Sequence, residues 1–146
     1  MQRQDYDLQR FKNAQEQSYA GYQEALQEIR NGCKVGHWIW YIFPQVKGLG
    51  RSGMSDYYGL QGLQEAKVYM EDPLLRERLT EITTALLLVE GKSAVEILGD
   101  IDAKKVRSCM TLFAEVAPQE PVFKEVLEKY YQGKVDRRTL RLVGEK

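Results

Sequence analysis

Apolar residues recur along this chain at steps of three and four, and glycine, proline and short polar side chains interrupt them. That rhythm predicts helices from end to end. Leu8, Phe11 and Ala14 share one face of a short helix that Asp7 can cap. Tyr19, Tyr22, Leu26 and Ile29 mark a second, expected from about Ser18 and stopped at Gly32. The block Trp38-Ile39-Trp40-Tyr41-Ile42-Phe43 has no period, so a buried strand and a buried helix both fit it. Helix is preferred because nothing else in the chain offers a strand to pair with, and Pro44 ends it. Ser52 and Ser55 are candidate caps for a helix from Asp56 to about Glu71, which Gly59 and Gly62 weaken in its first turns.

Asp72-Pro73 is a helix start, with aspartate at N-cap and proline at N1. Leu75, Leu79, Ile82 and Leu86 follow inward; at Leu86-Leu87-Leu88-Val89 the helix turns apolar all round, so its last turns are expected at the core centre before Gly91. Ser93 and Glu96 have capping-box spacing for a short helix ended by Gly99. Asp102 is read as the cap of a helix from Ala103 to Ala117, with Val106, Met110, Phe113 and Val116 inward and Pro118 beyond. Pro121 opens another, carrying Val122, Phe123, Val126, Leu127 and Tyr130, with Gly133 as its stop; Asp136 caps the last, through Leu142. About eight short helices with short connections and no internal repeat describe one compact all-α domain over residues 1–146.

Composition narrows the function classes. A chain of 146 residues can bury roughly 68–70% of its unfolded surface. Lys+Arg and Asp+Glu both number 21, and zero net charge argues against extended nucleic acid as a partner but not against a small anion. Cys33 and Cys109 form no motif and read as reduced thiols of a cytoplasmic protein. The longest apolar run, Ala85 to Val89, is far short of the roughly 20 residues a membrane span requires.

The candidate chemistry gathers around the aromatic block and the loop behind it. Gly48-Leu49-Gly50-Arg51-Ser52-Gly53 matches G-x-G-x-x-G literally, but no strand precedes it and no second strand follows its helix, so the dinucleotide fold is rejected. A loop whose backbone N–H groups converge on an anion, helped by Lys47, Arg51 and Ser52, is still compatible with the glycines, as is a plain tight turn. His37 is the sole histidine, so no metal site is expected around it and no cofactor is implied. Trp38 and Trp40 are either core or a platform for a planar group. On the later helix Lys104, Ser108, Thr111 and Glu115 form one polar stripe, which solvent alone would explain. Lys105 falls off that stripe.

These residues together resemble a known pattern. Asp7-Leu8-Gln9-Arg10-Phe11 with Ala14-Gln15, Gly36-His37-Trp38-Ile39-Trp40-Tyr41-Ile42-Phe43-Pro44-Gln45, and Gly48-Leu49-Gly50 with Ser52 are similar to a family of small bacterial proteins of unknown function, sometimes labelled calpastatin-like. Glu65-Ala66 with Tyr69, Lys105 with Ser108, Met110, Thr111, Leu112 and Phe113, and Gly133 with Asp136, Thr139 and Leu140 complete the likeness. The resemblance covers nearly the whole chain and implies a single all-α domain with no established activity. Asp72, Arg76 and Cys109 depart from the family pattern, which often has histidine, glycine and serine there. Calpastatin itself is a disordered repeat inhibitor, whereas this sequence has a core.

Two expectations follow. In the first, His37, Gln45, Arg51 and Ser52, with Ser108 and Thr111 from the later helix, line a pocket floored by Trp38 or Trp40. Its ligand is an anionic or nucleotide-like small molecule, and His37 is the candidate general acid or base if a metal-free hydrolysis or transfer takes place. In the second, the aromatic block is core, and Tyr57, Tyr58, Tyr130 and Tyr131 form the surface of an interaction or structural module.

Overall fold

The computed structural model describes residues 6–144 and contains ten helices among them, with no strand beyond one isolated bridge. In order they are α1 (Gln9–Gln15), α2 (Tyr22–Arg30), α3 (Ile39–Ile42), α4 (Gly53–Tyr58), α5 (Gly62–Glu71), α6 (Pro73–Leu87), α7 (Ala94–Leu98), α8 (Asp100–Val116), α9 (Val122–Tyr131) and α10 (Arg137–Leu142). The all-α single-domain reading holds, with two more helices than expected.

α8 is the axis. It packs against α9, α7, α5, α10 and α3, while α6 packs on α9, α2 and α5. Every residue of α8 from Ser108 to Phe113 is buried, so this stretch meets protein on all sides. A line of rings ties the layers together. Phe11 meets the edge of Tyr69 at 5.1 Å, Tyr69 lies 5.6 Å from Phe113, and Phe113 lies 5.8 Å from Phe123. That line joins α1, α5, α8 and α9 through aromatic contacts, which add to area burial.

Local signals are realised where the bond is local. Asp72 accepts from the N–H groups of Leu74 and Leu75, Ser93 and Glu96 form the reciprocal capping box, Ser52 accepts from Ser55, and Asp136 accepts from Thr139.

Five boundaries differ from expectation. α1 starts at Gln9 with Leu8, not Asp7, at its N-cap and no side-chain cap bond, and the Asp7 carbonyl instead accepts from Arg10 at 2.5 Å. α2 begins at Tyr22 rather than near Ser18. Ala20 takes a left-handed φ of 57°, and Gly21 is so tight against the chain that an added Cβ would lie 2.3 Å from the Gln17 carbonyl oxygen. The segment from Asp56 to Glu71 is two helices. Residues 59–61 leave helical geometry so that Leu60 can pair in parallel with Val46. α8 starts at Asp100 behind Gly99, and Asp102 caps nothing; its carboxylate holds Lys34 at 2.8 Å and Lys105 at 3.5 Å. Finally, α6 ends at Leu87 and Leu88 is 66% exposed, not central. The carbonyls of Leu86, Leu87 and Val89 accept from Tyr130 and Lys129, so this helix end meets α9 with its polar edge and turns Leu88 outward.

Candidate functional site

The aromatic block does fold as helix, one turn long, and its lack of period is resolved by packing. Ile39, Tyr41, Ile42 and Phe43 are buried, as is Trp38 before them. The indole N–H of Trp38 donates to Glu28 at 2.8 Å, and the Lys34 ammonium lies 4.9 Å from its ring. Burial works against the Glu28 carboxylate, but the N–H groups of Gly36, Val35 and Trp38 outweigh it and hold the pKa below the usual carboxylate range. Trp38 is therefore a core anchor. Trp40, two residues on, is only half-buried and faces outward.

Trp40 forms one wall of a cleft of about 350 Å³, a size ordinary for small-molecule sites. Gln45, Leu49 and Gly50 continue that wall; Ile101, Lys104, Lys105, Arg107 and Ser108 come from α8; Asp136 and Arg138 come from the start of α10. Gly50 allows the loop to pass the indole. A Cβ there would stand 2.9 Å from the Ser55 Cβ and 3.1 Å from the Trp40 ring. The ammonium of Lys105 lies 4.4 Å from the Trp40 ring centre and is tethered to Asp102, so it is positioned in advance. Arg107 donates to the carbonyls of Lys134 and Val135, and Arg138 reaches across the mouth to the Gly48 carbonyl at 3.4 Å.

Among the described residues the one carboxylate lining the cleft is Asp136, and one of its oxygens is engaged. One of its oxygens accepts from the Thr139 N–H at 3.0 Å and hydroxyl at 2.5 Å and lies 3.2 Å from the Ser108 hydroxyl. Four basic side chains thus meet one lining carboxylate, one oxygen of which is engaged by Thr139 and Ser108, in a chain whose net charge is zero.

The expected residues divide. Trp40, Gln45 and Ser108 are brought together in the cleft. Trp38 is walled into the core. Thr111 is also buried; its hydroxyl donates to the Arg107 carbonyl and accepts from the Asp136 N–H, fastening the chain ahead of α10 onto α8. The polar stripe of α8 is thus no solvated face at its centre. Arg51 and Ser52 are exposed, and Ser52 directs its side chain to the start of α4. His37 is exposed and does not line the cleft. Of the tyrosines expected at a surface, Tyr57 is exposed, Tyr58 packs on Phe11 and Tyr41, and Tyr130 and Tyr131 donate to the carbonyls of Leu86 and Ala103.

Sequence reasoning did not place Lys104, Lys105, Arg107, Arg138, Leu49 or Ile101 among the lining residues. The visible signal was the pairing of two basic clusters, Lys104-Lys105 with Arg107 and Arg137-Arg138, that only α10 docking brings together. Burial pushes the Cys109 thiol well above its ordinary pKa, so it is unreactive at neutral pH. A larger groove of about 470 Å³ lies along α2 and α6, but its lining mixes Arg30 with Glu77 and Glu81 and includes none of the expected residues. Among the described residues no cluster is arranged to hold a metal ion, and no helix is long and apolar enough to cross a membrane.

A family profile described as "Protein of unknown function (DUF1810)" matches residues 5–143. The conserved hypothetical protein Rv1873 from Mycobacterium tuberculosis, whose crystal structure is known, is 42% identical with a TM-score of 0.91; the alignment covers 97% of this chain and 99% of that one. No curated protein matches the chain in sequence. Nothing in these likenesses carries the calpastatin-like label.

Proposed function

We propose, for a chain that belongs to the DUF1810 family of proteins of unknown function, that the cleft between α3, α8 and α10 binds a small anionic molecule of nucleotide type. The observation that supports this is the convergence of Lys104, Lys105, Arg107 and Arg138 beside Trp40, Leu49 and Ile101. Lys105 is partly balanced by Asp102 and Asp136 is the one lining acid, so the four cations outnumber the carboxylates beside them, and an anion relieves their repulsion while accepting charge-assisted hydrogen bonds. The apolar wall suits a flat group attached to the anion. Ser108, close to Asp136, adds a hydroxyl at the inner edge. His37 has no part in this binding, and no reaction is assigned. The exposed thiol Cys33 fits a reducing, cytoplasmic setting.

Thermal unfolding with pyrophosphate and with nucleoside mono- and diphosphates tests the proposal. A ligand at roughly 100 times its Kd stabilises by about 2.7 kcal/mol, a shift of several degrees. The double substitution Lys104→Glu, Arg138→Glu changes two exposed side chains and is expected to keep the fold while abolishing that shift. If no probe stabilises the wild type more than the double variant, the proposal fails.

A further inference from the structure

We infer that the flat group of the ligand carries a hydrogen-bond acceptor, a ring carbonyl oxygen or ring nitrogen, and that Gln45 reads it; this rests on the binding role proposed above. Gln45 lines the cleft, is only 2% exposed, and its amide Nε2 has no hydrogen-bond partner among the described residues. Gln15, also buried, shows what a structural amide looks like here: its Nε2 donates to the Tyr41 carbonyl at 2.9 Å and its Oε1 accepts from Arg78 at 3.1 Å. Thr83 likewise has an unpartnered buried hydroxyl, but it does not line this cleft.

A buried N–H group without an acceptor costs stability, and an apolar side chain of the same size would avoid the cost. The backbone gives Gln45 no easy way out. Its carbonyl accepts from the Leu60 N–H at 2.9 Å, and the Lys47 N–H donates to the Leu60 carbonyl at 2.8 Å. Gly59 seals that pairing, since a Cβ there would lie 2.6 Å from the Ser55 carbonyl oxygen and 2.8 Å from Lys47. The backbone of Gln45 is thus fixed, and an unpartnered donor on a residue that lines the cleft is complementary to an acceptor that enters it. Lys104 and Arg138 are exposed and meet the anion, so the buried amide meets the other end of the molecule.

The test compares uridine monophosphate, which has ring carbonyls, with phenyl phosphate, which is flat and anionic but has no ring acceptor. Calorimetric titration of the wild type is expected to show uridine monophosphate binding roughly tenfold or more tightly, the scale of one satisfied buried donor. Gln45→Met is expected to bring the ratio to about one by weakening uridine monophosphate alone, and to melt no lower than the wild type because the unpartnered amide is gone. Gln45→Leu is the second variant if methionine packs badly. If both probes bind the wild type equally, or the ratio survives in the folded variant, the reading by Gln45 is wrong and the anion site stands. If neither probe binds the wild type, the binding role falls and this inference falls with it.

Discussion

Arg10 and Glu65 form a buried ion pair behind the turn that leads to Leu60, and substituting them tests how that turn is held. The Arg10 guanidinium donates to the Tyr57 carbonyl at 2.7 Å, the Asp7 carbonyl at 2.5 Å, Glu65 Oε2 at 2.9 Å and the Gly59 carbonyl at 3.3 Å. Arg10 is 8% exposed and Glu65 1%, and the second Glu65 oxygen accepts from the Gln61 N–H. Arg10→Met leaves a buried carboxylate without its cation and the carbonyls of Asp7, Tyr57 and Gly59 without this donor. Breaking a buried pair from one side costs about 3–5 kcal/mol. In a chain of 146 residues that lowers Tm by roughly 10 °C. Glu65→Leu leaves Arg10 three carbonyls and costs less. Replacing both by apolar residues removes the stranded charge, so the double variant is expected to be more stable than the sum of the singles by about 2 kcal/mol. Urea midpoints for the four proteins, at matched slopes, give the coupling directly. Additivity within about 0.5 kcal/mol would refute the claim that the two charges depend on each other. Because Tyr57 and Gly59 lead into Leu60, whose N–H holds the Gln45 carbonyl, Arg10→Met is also expected to weaken ligand binding in protein that remains folded.

Trp38→Ala should lose about 3–5 kcal/mol by denaturant unfolding, because it empties a fully buried site, whereas exposed His37→Ala should stay within about 0.5 kcal/mol of wild type. Asp72→Ala should cost about 1 kcal/mol at neutral pH. Burial opposes the Asp72 carboxylate, but Lys12 and the N–H groups of Leu75 and Leu74 outweigh it and depress its folded pKa. Its contribution is therefore complete above the unfolded pKa near 4 and disappears as pH falls through the lower folded value; wild-type and variant melting curves should converge in acid, and a constant gap would contradict the assignment. Gly50→Ala should displace the Trp40 ring, read as a shifted tryptophan emission and weaker binding of uridine monophosphate, while the far-UV circular dichroism stays unchanged.

The legible parts of this protein share a short range. Asp72 with Leu75, Ser93 with Glu96, Ser52 with Ser55 and Asp136 with Thr139 are bonds between residues one turn apart, so local spacing points to them. Asp102 has the same local appearance, yet Lys34 and Lys105 compete successfully for its carboxylate, and the helix begins earlier. The loose stripe from Asp56 to Glu71 hid a break, because the pairing of Leu60 with Val46 is made across the chain. Of the cleft's lining residues, Trp40 and Gln45 were expected from residue type within and beside the aromatic block and Ser108 from the polar stripe of the later helix. Trp38, Thr111, Arg51 and Ser52 carried the same signals and do not line the cleft.

The sequence by itself determined an all-helical single domain, the stripes that make its core, the end of the aromatic turn at Pro44 and the caps Asp72, Ser93 and Asp136. These follow from periodicity and from bonds of one helical turn. Tertiary packing alone decided which tryptophan faces outward, since a run of six apolar residues has no period to orient it. It also decided where charge gathers. Lys104, Lys105 and Arg107 meet Arg138 only because Thr111 and Ser108 fasten the start of α10 onto α8. An even charge count along the chain is thereby folded into an uneven surface, and the cleft is where that unevenness can meet an anion.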